Sequence, residues 1–556
     1  MKILKEAAFW QHVKTDAAYE HLRTMIRTMY EENRYEGAIP ELGFKSRTRF
    51  DRDGDRTEFD GEFFRRRKLL SASAIMALIY PEEEQYLEEL QEIIWAVCGE
   101  FSWVIPAHEK FSTGDANDFI DLFSAETAFS LAEIGYALGE RLHPRIHHRI
   151  RKEVKWRILR NMERETMLWE HAENNWASVC GTNVVGAVLY LFPEKFPALL
   201  QRLQETAFPS FFRSYSAEGT CLEGLGYWHY GFGTFVWFAE LVREYTRGET
   251  DLLTGEKTGR MAGFGRRCFL RGDTLINFGE APSHGRLDAG LMTCLRTRLP
   301  EAVKPVPHRM TDIWPGNTPW LELTRNLIWL DPAPTDGQFE PESMDLPDSK
   351  QMLVATGKYS LAVRGGDNDV ELGQHCDVGN FIFSTDEGQI FCDFGSGPYT
   401  RDYFDPAYRR TYFNVGSQGH SVPILNGETQ GLGKEYCGTI SHAGNVITVE
   451  MADAYKTEGI RRFTRTFTHT ENAVTLTDSF DPDYDSITER FVTLRRPEAE
   501  NGVIRIGSSR LEYDAALAPI IQPHSLKNHA GEAEILWSID FDLPKGLDHV
   551  TFVIRP

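Results

Sequence analysis

Residues 331–350 read DPAPTDGQFEPESMDLPDSK, and they mark the point at which the sequence pattern of the chain changes. Pro, Asp and Ser are concentrated in this stretch, which is typical of a linker. Before it, apolar residues recur at helical spacing, for example in DFIDLFSAETAFSLAEIGYAL at 118–138. After it, short runs rich in β-branched residues alternate between apolar and polar positions, for example at 463–468. The pattern therefore predicts helices first and strands second.

The length of the chain, 556 residues, also predicts two large domains, because a single hydrophobic core rarely grows to that size. We expect a helical domain at 1–335, a linker at 336–349 and an antiparallel β domain at 350–556. Many amphipathic helices with few strand-like runs indicate an α/α architecture in the first domain. Short strands between turn signals, such as DEG at 386–388, indicate a β-sandwich in the second.

Charge and cysteine usage limit the partners and the compartment. The formal net charge of -22 disfavours nucleic acid, so a site for an acidic substrate would have to be a local basic patch. No apolar run has the length of a signal-peptide core or a membrane span, so we expect a cytoplasmic protein without a membrane partner. A secreted chain trimmed of its signal peptide would show the same pattern. The eight Cys residues form no CxxC pair, which indicates reduced, mostly buried thiols.

The first candidate functional string is ENNW, Glu173 to Trp176, which precedes an apolar helical run. Asn is a preferred N-terminal capping residue, so the pair Asn174 and Asn175 has a structural interpretation as a helix cap. Its functional interpretation is an amide that donates a hydrogen bond to a substrate carboxylate.

The second string is EGTCLEGLGYWHYGFG at 218–233. Its five Gly residues make a poor helix interior around Tyr227, His229 and Tyr230. Such a segment can expose aromatic and titratable groups at a cleft. The alternative is aromatic packing on a Gly-rich turn.

The third group lies in the β region, in the strings GQHCDVGNF, FCDFGSG and QGHSVP. Two His and one Asp on separate strands are a ligand set for Zn²⁺, and the candidates are His375, Asp377, Asp393 and His420. The alternative is that these residues are ordinary polar groups at strand ends.

A segment dense in Tyr and Arg, PYTRDYFDPAYRRTYF at 398–413, lies between these strings. Arg pairs with carboxylate or sulfate through two hydrogen bonds, and Tyr can move protons. Arg401, Tyr403, Arg409 and Arg410 are therefore candidates for binding a sugar acid. The alternative is a solvated surface loop.

In chain order, the strings NNW, EGxGYWxYG, HxDxGNF, DFGSGPY and GHS resemble those of the heparinase II/III-like polysaccharide lyases, over most of the chain. The last three in series are the most specific. The resemblance implies an N-terminal incomplete (α/α) toroid joined to a C-terminal antiparallel β-sandwich. It also implies an enzyme that cleaves a uronic-acid-containing glycan, glycosaminoglycan-like or alginate-like, by β-elimination to give an unsaturated uronate. The expected partner is an acidic oligo- or polysaccharide, and homo-oligomerisation stays open.

The same resemblance assigns roles. Asn174 or Asn175 neutralises the uronate carboxylate, beside Trp176 as a substrate contact. Tyr227 or Tyr230 transfers the proton, and Tyr230 is favoured because chondroitinase-like toroid lyases place the catalytic tyrosine just before a Gly.

The resemblance further implies that His375, Asp393 and His420 hold one divalent ion with a structural role. Zn²⁺ is the first choice, and Mn²⁺ or Ca²⁺ are alternatives. Two departures concern histidine. Gly373 stands where relatives often have a second His used as a base, and Trp176 stands where many have a His. Histidine-assisted catalysis would then depend on His229 or His108.

The mechanism adds two expectations. A tyrosine with its usual pKa of ~10 needs a cationic or hydrogen-bonded neighbour to act as a base near neutral pH. His229, Arg409 and Arg410 are the candidates for that neighbour. The Tyr- and Arg-rich loop from Tyr399 to Tyr412 is expected to close the cleft.

Two other functions compete with the lyase. An (α/α)-toroid glycoside hydrolase acting on uronyl oligosaccharides would need two carboxylates, with Glu173, Glu218, Glu223 and Glu280 as candidates. A non-catalytic glycan-binding protein with a degenerate site would bind the same polymers without turnover.

Overall fold

The computed structural model of the protein describes residues 1–112, 114–314, 316–331, 339–369, 373–457 and 460–556. Most of the first part is helical. Its α-helices are α1 (Ala7–Thr15), α2 (Glu20–Asn33), α3 (Phe44–Arg47), α4 (Arg49–Asp53), α5 (Thr57–Ile79), α6 (Glu84–Cys98), α7 (Leu122–Leu138), α8 (Pro144–Val154), α9 (Arg160–Arg164), α10 (Asn175–Leu191), α11 (Phe196–Glu205), α12 (Ala207–Arg213), α13 (Leu225–Tyr227), α14 (Thr234–Tyr245), α15 (Glu256–Arg267), α16 (Ala289–Arg298) and α17 (Trp320–Ile328). A π-helical segment, Trp228–Gly233, joins α13 to α14.

Strands dominate the second part. The strands are β1 (Phe269–Arg271), β2 (Thr274–Leu275), β3 (Leu287–Asp288), β4 (Thr311–Asp312), β5 (Met344–Leu346), β6 (Gln351–Ala355), β7 (Ser360–Arg364), β8 (Gly366–Asn368), β9 (Phe381–Thr385), β10 (Gly388–Phe391), β11 (Ile424–Leu425), β12 (Gly433–Ala443), β13 (Val446–Glu450), β14 (Phe463–Thr470), β15 (Ala473–Phe480), β16 (Ile487–Thr493), β17 (Glu498–Glu500), β18 (Val503–Ile506), β19 (Ser509–Glu512), β20 (Pro519–Lys527), β21 (Ala533–Asp542) and β22 (His549–Arg555).

Strands β1 and β2 form one two-stranded pair and β3 and β4 another, and three antiparallel sheets contain the strands from β5 to β22. Their orders are β10-β9-β7-β6-β5, β11-β16-β21-β20 and β17-β18-β19-β22-β15-β14-β13-β12-β8. Along β14 and β15, buried and less buried residues alternate, as expected for strands with one face on a core. Leu361, Phe467 and Phe491 come from the three different sheets and lie in one apolar cluster. The sheets therefore share a single core.

The chain divides into two compact units. The helical unit comprises Met1–Ser214, Trp228–Ala262 and Leu287–Thr335, and the β unit comprises Tyr215–Tyr227, Gly263–Arg286 and Asp336–Pro556. Two segments from the first half of the chain thus belong to the β unit. Leu270 and Phe278 account for one of them, because they join Leu353 and Ile382 of the five-stranded sheet in a small apolar cluster.

The predicted change from helices to antiparallel strands is confirmed, including the hairpin at DEG 386–388, where β9 pairs with β10. Within the predicted linker, residues 336–338 lie outside the described residues, and β5 is a strand paired with β6 that the sequence pattern missed. The eight Cys residues are free thiols, and only Cys437 is not fully buried. Within the described ranges, no helix combines the length and the apolar character needed to cross a membrane.

Candidate functional site

The ENNW string forms the beginning of α10. The Asn174 side chain accepts a hydrogen bond from the Trp176 backbone N–H at 3.0 Å, so Asn174 is the N-terminal cap. Asn175 is the first residue of the helix, and its side chain is buried. The structural interpretation as a helix cap therefore describes Asn174 and not Asn175.

The two strings of the helical unit meet at Gly231. A Cβ atom added at Gly231 would lie 3.1 Å from the Asn175 Cβ, closer than most real Cβ contacts. The Ser178 hydroxyl, one turn into α10, donates a hydrogen bond to the Gly231 carbonyl at 2.8 Å. Gly at this position lets the segment after Tyr230 approach Asn175, so residues far apart in sequence lie side by side, as the toroid prediction requires.

Tyr230 is half-buried, and its buried hydroxyl interacts with the Glu126 carboxyl. Burial and the neighbouring Glu126 carboxyl raise the pKa of Tyr230 well above its usual value. We expected a cation beside Tyr230, but none of the residues that shift this pKa most is a cation. The group with the largest effect after burial is the Glu126 carboxyl. Tyr230 is a neutral phenol near neutral pH.

Glu126, on α7, is a residue that the sequence analysis missed. It is buried and accepts a hydrogen bond from the Thr318 hydroxyl, and the Tyr230 hydroxyl is a second polar neighbour. Burial raises the pKa of Glu126 to about 7, and burial together with Glu126 raises that of Glu322 well above the usual range. Its signal in the sequence is that it is one of two glutamates inside a mostly apolar helix.

His229 is buried and stacks on Trp314, with ring centroids 5.2 Å apart. Its Nε2 lies 3.8 Å from the Asp288 carboxylate, which is too far for a hydrogen bond. Burial lowers the pKa of His229, and Asp288 only partly offsets this. His229 is therefore neutral near neutral pH, contrary to the expectation of a cation beside the tyrosine.

Trp176 packs against His108, with ring centroids 4.9 Å apart. The His108 Nδ1 lies 2.8 Å from the buried Asp121 carboxylate, which also caps α7. A carboxylate at Nδ1 fixes the proton there and leaves a lone pair on Nε2. An oriented histidine thus lies beside the string that carries Asn175.

In the β unit, the Tyr227 hydroxyl lies 3.5 Å from that of Tyr399. Burial, followed by the Glu223 carboxylate, raises the pKa of Tyr227 to about 12. The two candidate tyrosines therefore belong to different units and have different neighbours.

The predicted metal ligands converge in the β unit. His375, Asp393 and His420 are fully buried, and one potential ligand atom from each lies within 4.8 Å of the others. Within the described part of the chain, the His375 Nδ1 and the His420 Nε2 have no hydrogen-bond partner. Two buried imidazoles, each with a nitrogen that has no partner, together with a nearby buried carboxylate fit a divalent ion such as Zn²⁺. The fourth candidate, Asp377, instead forms a buried ion pair with Arg364.

Glu280 contacts several side chains of this centre, a role that the sequence did not predict for it. Its carboxylate lies 3.4 Å from the His375 Nε2 and accepts hydrogen bonds from Arg409 at 2.7 Å and Tyr403 at 3.1 Å. Burial alone would raise the pKa of Glu280, but His375 and Arg409 outweigh it and hold the pKa below its usual range. Because the Glu280 carboxylate lies at Nε2, the Nδ1 of His375 is the nitrogen that could bind a metal ion.

The Tyr- and Arg-rich loop is therefore only partly a surface feature. Arg409 and Tyr403 are fully buried around Glu280, which corrects the prediction that they contact the substrate. Arg401 and Arg410 are exposed, as that prediction requires.

Gly373 also has a structural reason. Its φ of +67° is in the left-handed region, and an added Cβ would lie 3.1 Å from the Glu280 Cγ. A histidine at this position would be strained and would press on the carboxylate that orients His375. Gly373, which stands where related sequences often have a His, thus leaves room for the Glu280 side chain and its hydrogen bonds.

The chain has the fold of the heparinase II/III-like polysaccharide lyases, and the predicted class, a helical toroid followed by an antiparallel β domain, is confirmed. One similar structure is heparinase III, with a TM-score of 0.63 and 9% identity over 98% of this chain and 85% of that one. Another is the heparan sulfate lyase HepC from Pedobacter heparinus, with a TM-score of 0.56 and 11% identity over 99% of this chain and 92% of that one. A third is chondroitin AC lyase from Streptomyces coelicolor in complex with chondroitin sulphate, with a TM-score of 0.59 and 11% identity over 99% of this chain and 82% of that one. No family model and no curated protein sequence matches the chain.

Proposed function

We propose that the protein is a polysaccharide lyase that cleaves a uronate-containing glycan by β-elimination. The observation that supports the proposal is the close contact between the Asn175 and Gly231 segments, in which Tyr230 is the residue next to Gly231. The solved structures of this fold include lyases named for heparan sulfate and chondroitin, and all of these polymers carry uronates.

The chemistry assigns a role to each of these groups. Removal of the C5 proton of a uronate builds negative charge on its carboxylate, and the Asn175 amide would stabilise that charge by hydrogen bonding. Tyr230 would transfer the proton. Because its pKa is raised, its phenol is neutral and suited to donating a proton to the leaving O4 oxygen.

Glu126 completes this proton path. A carboxyl with a pKa of about 7 can both accept and return a proton near neutral pH, so it can take the phenol proton when Tyr230 acts as the base. The Tyr230 hydroxyl is buried, so the ring has to turn toward the sugar when substrate binds. Tyr227 is the alternative tyrosine, and His108, oriented by Asp121, is the alternative base.

The hydrolase alternative receives less support from its carboxylates. Glu173 forms an exposed ion pair with Arg213, Glu280 is buried against Arg409, and Glu218 accepts hydrogen bonds from Asp348 and Ser349. Acid–base hydrolysis requires two carboxyl groups across a sugar-sized gap, whereas these three carboxylates are bound to other protein groups.

We also propose that His375, Asp393 and His420 bind one divalent ion, Zn²⁺ first. Two imidazoles and one carboxylate favour Zn²⁺ over Ca²⁺. When bound, the ion would supply a structural cross-link between the strands and loops of the β unit. Elemental analysis should find one fewer ion per chain in His375→Ala than in wild type or in the surface control His12→Ala. Equal metal content in all three would remove this assignment.

The function is tested by incubating the protein with heparan sulfate, chondroitin sulfate, hyaluronan and alginate. A lyase creates a conjugated unsaturated uronate, so we expect ultraviolet absorbance to rise together with new reducing ends on at least one polymer. New reducing ends without absorbance would identify a hydrolase. Binding without either product would identify a glycan-binding protein.

A further inference from the structure

Two histidines on the nine-stranded sheet face each other away from the sites described above. The Nε2 atoms of His442 on β12 and His469 on β14 lie 3.3 Å apart. The strand register explains why the side chains of His442 and His469 lie close together. His442 pairs with Ile447 on β13, Ile447 pairs with Phe467 on β14, and His469 lies two residues further on the same face.

Asp345 fixes one of the two rings. Its carboxylate lies 2.7 Å from the Nδ1 of His442, and it belongs to β5 of the five-stranded sheet. The carboxylate holds the proton on Nδ1, so the Nε2 of His442 carries the lone pair. Carboxylate–histidine pairs of this kind orient the imidazole ligands of metal ions.

We propose that His442 and His469 bind a divalent transition-metal ion, Zn²⁺ or a close substitute, through their Nε2 atoms. Two Zn–N bonds of about 2.0–2.1 Å at a tetrahedral angle place the nitrogens about 3.3 Å apart, which is the observed separation.

The site differs from the buried one around His375. Its imidazoles are half-buried, and the Asp345 side chain is 55% exposed. Two of four tetrahedral positions are filled by the histidines, which leaves the others to water or to an incoming ligand. Occupancy would cross-link β12 to β14, and Asp345 would extend the link to the other sheet. The inference does not depend on the proposed lyase activity.

The test uses Zn²⁺ alone on the metal-stripped full chain, in a His375→Ala background that removes the buried site. We expect His442→Ala and His469→Ala each to bind one fewer ion than this background, by equilibrium dialysis and elemental analysis. Asp345→Asn should weaken binding by about 10-fold or more. The matched control is His549→Ala, because His549 has a carboxylate, Asp548, at the same 2.7 Å but no second imidazole in contact among the described residues.

A second measurement does not require variants. Zn²⁺ should protect His442 and His469 of the wild-type chain from diethyl pyrocarbonate, read by peptide mass spectrometry, while His549 stays reactive. Unchanged ion counts in both His variants, or equal modification with and without Zn²⁺, would show that the pair is only a hydrogen bond between imidazoles.

Discussion

Helix α7 carries two buried glutamates one heptad apart, Glu126 and Glu133, and their surroundings give them opposite effects on stability. Glu126 has two hydroxyl neighbours, Thr318 and Tyr230, and no cation among the groups that shift its pKa most. Glu133 accepts hydrogen bonds from Arg325 at 2.8 Å, Trp320 at 2.8 Å and Tyr190 at 2.6 Å. We therefore predict that the same change, Glu→Gln, stabilises the protein at one position and destabilises it at the other.

The magnitude at Glu126 follows from its pKa. A rise from the usual 4.5 to about 7 means that ionisation in the folded state costs about 3 kcal/mol. Because the pKa of Glu126 is higher in the folded state than in the unfolded state, the protonated side chain contributes its full stability below pH 4.5. This contribution is lost as the pH rises through about 7. Glu126→Gln does not titrate, so its gain over wild type should grow from near zero at pH 4.5 to about 3 kcal/mol at pH 8.

At Glu133 we expect the Glu→Gln change to have the opposite effect on stability. Burial alone would raise its pKa, but Arg325 outweighs it and the pKa is lowered, so this carboxylate stabilises the fold above its ordinary pKa and the contribution is lost in acid. Glu133→Gln also leaves the fully buried Arg325 without its counter-charge. Removing one partner of a buried ion pair costs about 3–5 kcal/mol, so we expect a loss of that size at pH 8.

The assay is urea unfolding of wild type and both variants at pH 5 and pH 8, followed by far-ultraviolet circular dichroism of the helical transition. Each variant is the control for the other, because both remove a charge from the same helix face. A Glu126→Gln variant that is no more stable than wild type at pH 8, or whose advantage is equal at both pH values, would refute the pKa argument. A harmless Glu133→Gln would refute the ion-pair argument.

Three further predictions concern the proposed enzyme. Tyr230→Phe keeps the ring and removes the oxygen, so turnover of the best acidic glycan should fall by about 10²–10⁴-fold, and near-full activity in both this variant and Tyr227→Phe would exclude the tyrosine mechanism. Gly231→Ala puts a methyl group 3.1 Å from the Asn175 Cβ, so kcat should fall while metal content stays unchanged, and a fully active variant would show that this contact does not position the amide. Glu280→Gln should lower the affinity for Zn²⁺ by about 10–100-fold in competition with a chromophoric chelator, and an unchanged affinity would contradict its orienting role.

The sequence predicts the parts of the fold that are encoded locally. Strands such as β14 and β15 follow from strict alternation, and the change of pattern around residue 331 follows from composition. The convergence of His375, Asp393 and His420 also agrees with the structure, since each lies in a distinctive string.

Other features depend on distant partners and leave no local signal. Glu280 lies 95 residues before His375, in a segment that joins the β unit, and neither spacing nor periodicity relates the two. Arg409 stands in a string that is typical of an exposed loop, yet its charge is compensated by Glu280 in the interior. Burial of a charged side chain is decided by its partner, and the partner is known only once the chain is folded.

Glu126 combines these arguments at the proposed site. A glutamine there would make the same hydrogen bond with Thr318 without the cost of ionisation, so a carboxyl at this position lowers stability near neutral pH. Groups that lower stability in this way are concentrated at functional sites, where their titration is used. If Glu126 accepts the Tyr230 proton, kcat/KM should rise with pH through about 7, and this limb should disappear in Glu126→Gln together with most of the activity. A variant that gains stability and keeps the wild-type pH profile would leave Glu126 with no part in proton transfer.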